Sequence, residues 1–213
     1  MSFSPALFPI LLAQIDSLIT EHAEEITELD QAIGDGDHVF NLQHGLQALQ
    51  KEATPISQLD WSDAWQKIGM TLMSSVGGAS GALYATLFIN LAKSSRGQTI
   101  DLQHFASAFD AAINAVKQRG KSDAGEKTML DVLIPVAAAL QQHAENGLPI
   151  ADLLQALPQV AADGAEATRN MLATKGRASF LGERSLGHID AGAKTAALMI
   201  SAIASVLTQQ TSA

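Results

Sequence analysis

The chain has 213 residues, of which 47% are hydrophobic, 16% charged and 5% aromatic, which fits one folded domain and excludes a disordered chain. Its 36 alanines, against one tyrosine and two tryptophans, favour helix over sheet. The net charge is −9, and residues 1–50 hold no Lys or Arg but eight acids, so nucleic acid and anionic membrane are poor partners and a divalent cation is a better one for that segment.

Ser4-Pro5 reads as a helix start, a cap followed by proline in the first turn. Leu7, Leu11, Ile15, Leu18, Ile19, Ile26 and Leu29 then recur at three- and four-residue steps and predict a single first helix. Seven further helical patterns follow at about 38–50, 61–75, 80–94, 101–119, 128–145, 150–173 and 193–209, with Asp101 placed to cap the fifth helix. No segment alternates apolar and polar residues, so no strand is expected. Pro9, Pro135 and Pro158 fall inside these helices and are expected to kink or break them. Residues 51–59 and 93–99 read as ordinary short connections.

The absence of cysteine removes disulfides, zinc thiolate sites and thiol catalysis. The start of the chain lacks the positive charge of a signal peptide, and the apolar stretch 196–207 is too short to span a bilayer. A cytoplasmic protein of all-α class is expected, one domain over residues 1–213.

Alternate connections carry the chemistry. The first is Asp30-Gln-Ala-Ile-Gly-Asp-Gly-Asp37, the third Ser75-Val-Gly-Gly-Ala-Ser-Gly81, the fifth runs over 119–128, and the seventh over 174–192 with four glycines. In an up-and-down array of antiparallel helices, alternate connections share one end, so these four are expected on one rim.

Asp30, Asp35 and Asp37 offer three carboxylates around Gly34 and Gly36, a donor set suited to Mg2+ and substrate phosphates. A plain turn with an aspartate cap is the simpler reading of the same residues. An EF-hand is excluded, because the twelfth position from Asp35 is Leu46 rather than Glu. Gly77, Gly78, Ala79, Ser80 and Gly81 precede a helix, where glycines admit an anion to free N–H groups; a tight turn capped by Ser80 is the alternative. Gly120-Lys-Ser is not a phosphate loop of the Walker type, since Ala115 stands where that motif needs glycine. The long segment before the last helix reads as a lid or binding loop whose Arg177 and Arg184 can meet phosphate oxygens, or as a surface loop with solvated arginines. His38 and His188 flank the rim, whereas His22, His44, His104 and His143 fit surface or core positions on helices. No nucleophile has a paired base.

Taken together, Gly34-Asp-Gly-Asp-His38, Ser75-Val-Gly-Gly-Ala-Ser-Gly81, Gly125-Glu-Lys-Thr-Met129, Gly176-Arg-Ala-Ser and Leu181-Gly-Glu-Arg-Ser-Leu-Gly-His188 resemble the nucleotide-binding L subunit of bacterial dihydroxyacetone kinases. The resemblance runs in order from about residue 25 to 195. It implies a barrel of eight antiparallel up-and-down helices with ADP or ATP at one rim, and two Mg2+ ions held by Asp30, Asp35 and Asp37. It places nucleotide contacts at His38, Asn41, Gly78, Ala79, Ser80, Gly120, Met129, Arg177, Asp190, Ala191 and Gly192, with Arg177 also catalytic. It further implies a K subunit that carries dihydroxyacetone covalently on a histidine, and a phosphotransferase-system M subunit that rephosphorylates a retained ADP.

The chain departs from the family pattern at Val39 and Leu42, where Gly and Met are common, and at Ala82 and Ala191, where Pro is frequent. An ATP-dependent kinase subunit for another small ketose or acceptor is one alternative. A non-catalytic helical scaffold or regulator-binding module is another, of a different class.

Overall fold

The computed structural model describes residues 4–212; residues 1–3, part of the segment read above for a signal peptide, lie outside it. It is all-helical, with no strand among the described residues. The α-helices are α1 (Phe8–Glu21), α2 (Ala23–Ile33), α3 (His38–Ser57), α4 (Trp61–Ser75), α5 (Gly78–Ser95), α6 (Leu102–Gly120), α7 (Leu130–Asn146), α8 (Ile150–Ala167) and α9 (Ala191–Ser212).

The expected first helix is two. A short 3-10 turn over Pro5–Leu7, capped by Ser4 Oγ accepting from Ala6 N at 3.2 Å, leads into α1, and the backbone breaks at His22 (φ −99°, ψ 11°) before α2. The apolar stripe crosses that break without interruption, since Ile19 and Ile26 on either side are both fully buried. Helix α3 also outruns its expected end, continuing through most of the stretch read as a connection. Pro55 sits in its last turn, and Ile56 beside it is fully buried, so packing holds the extra turns.

None of the other prolines ends a helix. Pro9 occupies the first turn of α1, where its missing N–H has no partner to lose, and Pro135 and Pro158 lie inside α7 and α8. Helix α8 stops at Ala167, six residues short of expectation. A 3-10 turn (Thr168–Asn170) follows, in which Thr168 Oγ1 donates back to Ala165 O at 2.6 Å.

Each helix from α3 onward packs on the next, and α9 returns to pack on both α8 and α1, while α1 packs on α3. One apolar core runs through all nine α-helices of the described residues, and Ala64, Ala85, Ala92, Ala106, Ala112, Ala161 and Ala193 are fully buried in it. Small side chains at the crossings let helix axes approach, and Gly164 takes this furthest: a Cβ there would lie 2.5 Å from the Asp131 carbonyl of α7. Helix α9 extends well beyond the apolar stretch 196–207 and is, by length and composition, apolar enough to cross a membrane; half of that window is buried against the other helices, as in a core helix.

Candidate functional site

The acid cluster forms where α2 gives way to α3. Asp30 belongs to the last turn of α2 rather than to a loop, and the connection itself is only residues 34–37. Gly34 closes the helix by donating to Asp30 O at 2.5 Å, and Gly36 takes a positive φ of 77° that lets the chain turn tightly enough to bring Asp35 and Asp37 back. Asp30 Oδ2 accepts the His38 N–H at 3.1 Å, which fixes its carboxylate over the start of α3. One carboxylate oxygen from each of Asp30, Asp35 and Asp37 lies within 4.8 Å of the others. At that spacing each pair repels by about 3 kcal/mol at an effective dielectric near 20. The all-oxygen donor set and a spread close to the roughly 4.2 Å between opposite ligands of octahedral Mg2+ fit a magnesium site.

Three further segments meet this cluster. Arg177 Nη2 pairs with Asp35 Oδ2 at 2.8 Å, with the arginine side chain 70% exposed. His38 Nε2 shares a hydrogen bond of 3.0 Å with Thr195 Oγ1 on the second turn of α9. Burial lowers the His38 pKa, against the opposing pull of Asp30, Asp37 and Asp35. Asn41, one turn into α3, lies against the glycine segment: a Cβ at Gly77 would sit 2.6 Å from Asn41 Oδ1.

That glycine segment is shorter than a loop. Val76 and Gly77 are the whole connection, and Gly78, Ala79 and Ser80 form the first turn of α5, so Ser80 is not its cap. The N–H groups of that first turn have no intrahelical acceptors and point out of the helix end, a ready anion site.

The α6–α7 connection closes the circuit. Gly120 is the last residue of α6 and Met129 the N-cap of α7. A Cβ on Gly120 would lie 3.4 Å from Leu83 of α5, and one on Gly192 would lie 3.9 Å from Met129. Asp190 caps α9, its Oδ2 accepting from Ala193 N at 2.8 Å, so Ala191 and Gly192 belong to the first turn of that helix. The segment read as a lid or binding loop holds a 3-10 stretch over Arg177–Ser185, interrupted at Gly182 (φ 57°, ψ −131°). All four connections therefore lie at one end of the molecule, with every expected site residue on or beside them. Arg184, in the last turn of that stretch, forms no ion pair among the described residues, whereas Arg177 does.

The supports of this site are buried polar residues that pattern reading passes over: Thr195 and Thr168, both fully buried, Lys127 at 1% exposure and Asp131 at 5%. Asp131 accepts Gly125 N at 2.5 Å and Thr128 N at 2.7 Å, folding the α6–α7 connection onto the start of α7. The signal for Lys127 was its place inside the Gly-Glu-Lys-Thr-Met run; for Thr195, an isolated hydroxyl in the apolar face of α9.

Asp190 gives the rim a pH dependence. Burial pushes its carboxyl up to about 6, against the Ala193 N–H and Lys127, with Asp131 and Asp30 adding to the rise. A folded-state value above the ordinary 3.8 means that the folded chain holds the extra proton between pH 3.8 and about 6, so this group's contribution to stability falls as pH rises through that window. The shift corresponds to at most about 3 kcal/mol. Asp190→Asn keeps an acceptor for Ala193 N and should flatten the metal-free stability profile from pH 4 to 6, as read by urea titration at a series of pH values. An unchanged slope would place the titration elsewhere.

Residues 32–205 match the DAK2 domain family model. The chain is 43% identical over 185 residues to the ADP-binding subunit DhaL of PEP-dependent dihydroxyacetone kinase 1 from Listeria innocua, an alignment covering 87% of this chain and 88% of that one. It is 38% identical over 205 residues to the ADP-binding subunit DhaL of the PEP-dependent dihydroxyacetone kinase from Escherichia coli, with 96% and 98% covered. Its fold is similar to part of the crystal structure of the dihydroxyacetone kinase from C. freundii in complex with AMP-PNP and Mg2+. There the TM-score is 0.72 at 23% identity, over 96% of this chain and 34% of that one.

Proposed function

The chain belongs to the DAK2 family, and from that premise we propose that it is the ADP-binding subunit of a dihydroxyacetone kinase of the phosphoenolpyruvate-dependent type, a phosphotransferase component. ADP stays bound as a coenzyme, an M subunit of the phosphotransferase system rephosphorylates it, and a K subunit in the cytoplasm presents dihydroxyacetone. Residues 1–213 act as one nucleotide-binding domain. Its form is a barrel of eight antiparallel staves in which α1 and α2 make a single bent one; the closed series of neighbour packings and the short connections support this reading.

Asp30, Asp35 and Asp37 would hold two Mg2+ ions, which when bound neutralise the phosphate charge that builds during transfer. The first turn of α5, Gly78 to Ser80, receives phosphate oxygens on its free N–H groups. Asn41 and His38 line the same mouth from α3, and Gly120, Met129, Asp190, Ala191 and Gly192 form its far wall. Arg177 is the catalytic group: its guanidinium lies at the acid cluster and carries planar donors suited to a phosphoryl group in transit. The observation that carries the proposal is the Arg177–Asp35 contact, because it brings two motifs 142 positions apart together at the acid cluster.

Native mass spectrometry of freshly purified protein tests this reading. One ADP with magnesium per chain is the expected species. A chain that emerges empty and also fails to take up added Mg-ADP would reject it.

A further inference from the structure

Among the described residues, Lys127 is the largest side chain enclosed in the interior, at 1% exposure. Its ammonium donates to Thr168 O at 2.6 Å and, by a shorter contact, to His188 O. Those two carbonyls stand at the two ends of the segment that carries Arg177. The same base is closed by Gly187 N donating to Arg169 O at 2.8 Å, Arg169 Nη1 to Gly187 O at 3.1 Å, and Asp190 N to Thr168 Oγ1 at 2.9 Å. Residues 168–190 are therefore a loop with a pinched stem, and Lys127 bridges the pinch from a different connection.

The neighbouring Glu126 holds the loop higher up, accepting from Thr174 Oγ1 at 3.0 Å and pairing with Lys175 Nζ at 3.3 Å. Arg177 itself is mostly exposed and, among the described residues, pairs only with Asp35, so its position depends on how firmly the loop stem is held. Two costs mark Lys127 as more than filler. A buried ammonium is expensive unless its donors are satisfied, and methionine would fill the space without that cost. Its backbone also lies in the left-handed region (φ 62°), which a residue with a Cβ keeps only where its surroundings hold it.

We infer that Lys127 is a positioning residue, a clasp that pins both ends of the Arg177 loop and thereby aims the guanidinium at the metal-phosphate mouth. The inference rests on Arg177 acting in phosphoryl transfer, and its test separates the two claims. Lys127→Met should speed tryptic cleavage after Arg177 and Arg184 by about tenfold in the nucleotide-free chain, because a loop that opens locally is cut in proportion to its open population. In the reconstituted kinase it should lower kcat at least about thirtyfold with KM changed less than about threefold, and Lys127→Met combined with Arg177→Ala should be no slower than Arg177→Ala alone within about threefold.

A general structural role would give additive losses instead, and additive losses overturn the proposal, as does unchanged cleavage. Thr168→Val, which removes the acceptor for Asp190 N and the hydroxyl donor to Ala165 O but leaves the Thr168 carbonyl to Lys127, is the milder variant should Lys127→Met not fold; it should move cleavage and kcat in the same directions by about threefold, and no movement overturns the proposal. Full turnover in Arg177→Ala would reject the transfer role of that arginine, while the cleavage result would still decide whether Lys127 clasps the loop.

Discussion

Asp35→Asn should weaken Mg-ADP binding by at least about 100-fold, close to 3 kcal/mol, while leaving the helical circular dichroism unchanged. The asymmetry follows from where the carboxylate sits. Asp35 is exposed at the mouth, so its loss opens no cavity, and its pair with Arg177 is a surface contact of about 1 kcal/mol or less. Removing one of three mutually repelling carboxylates relieves the metal-free fold. The same removal takes one of the three carboxylates that, among the described residues, gather within 4.8 Å of one another. Isothermal titration of Mg-ADP into wild type and variant measures the difference. Chelation of magnesium should bring wild type down to the level of the variant and leave the variant where it was. Equal affinity in the two proteins would rule out the acid cluster as the metal site.

Arg177→Ala should reduce turnover of the complete kinase by about 10³-fold, the scale on which an arginine contributes to a transferring phosphoryl group, with Mg-ADP affinity changed less than about threefold. The split is the informative part. In the resting chain the guanidinium is 70% exposed and pairs with Asp35, so little ground-state binding depends on it. Its value would arise as charge spreads over the phosphoryl oxygens, where a planar fork of donors is worth most. Arg177→Lys should not restore the rate, since a point charge lacks that fork. A loss confined to KM would reassign Arg177 to binding.

The acid cluster, the glycine segment and the arginine segment could be read from the sequence because each combines residues whose chemistry is local: Gly36 permits the turn that gathers the carboxylates, and Gly77-Gly78 opens a helix end. Their meeting could be read only through the rule that alternate connections share an end. Helix limits were harder. Nothing in the α1–α2 stripe announces the break at His22, because apolar spacing is indifferent to one residue with ψ near 11°. The end of α8 at Ala167 is set by tertiary contacts, Thr168 O taken by Lys127 and Thr168 Oγ1 by Asp190 N, so the alanine-rich pattern overran it. Thr195, Lys127 and Asp131 escaped for one shared reason: whether a polar side chain is buried and satisfied is decided by neighbours far along the chain.

The claim that one mouth holds metal and polyphosphate together is tested most directly by a crystal structure of the chain with ADP and Mn2+, recorded at the manganese absorption edge. Anomalous peaks should fall on the Asp30, Asp35 and Asp37 oxygens, with the diphosphate against the first turn of α5 and Arg177 within reach of it. Manganese bound away from those three carboxylates, or a diphosphate seated at the opposite end of the helices, would contradict the account.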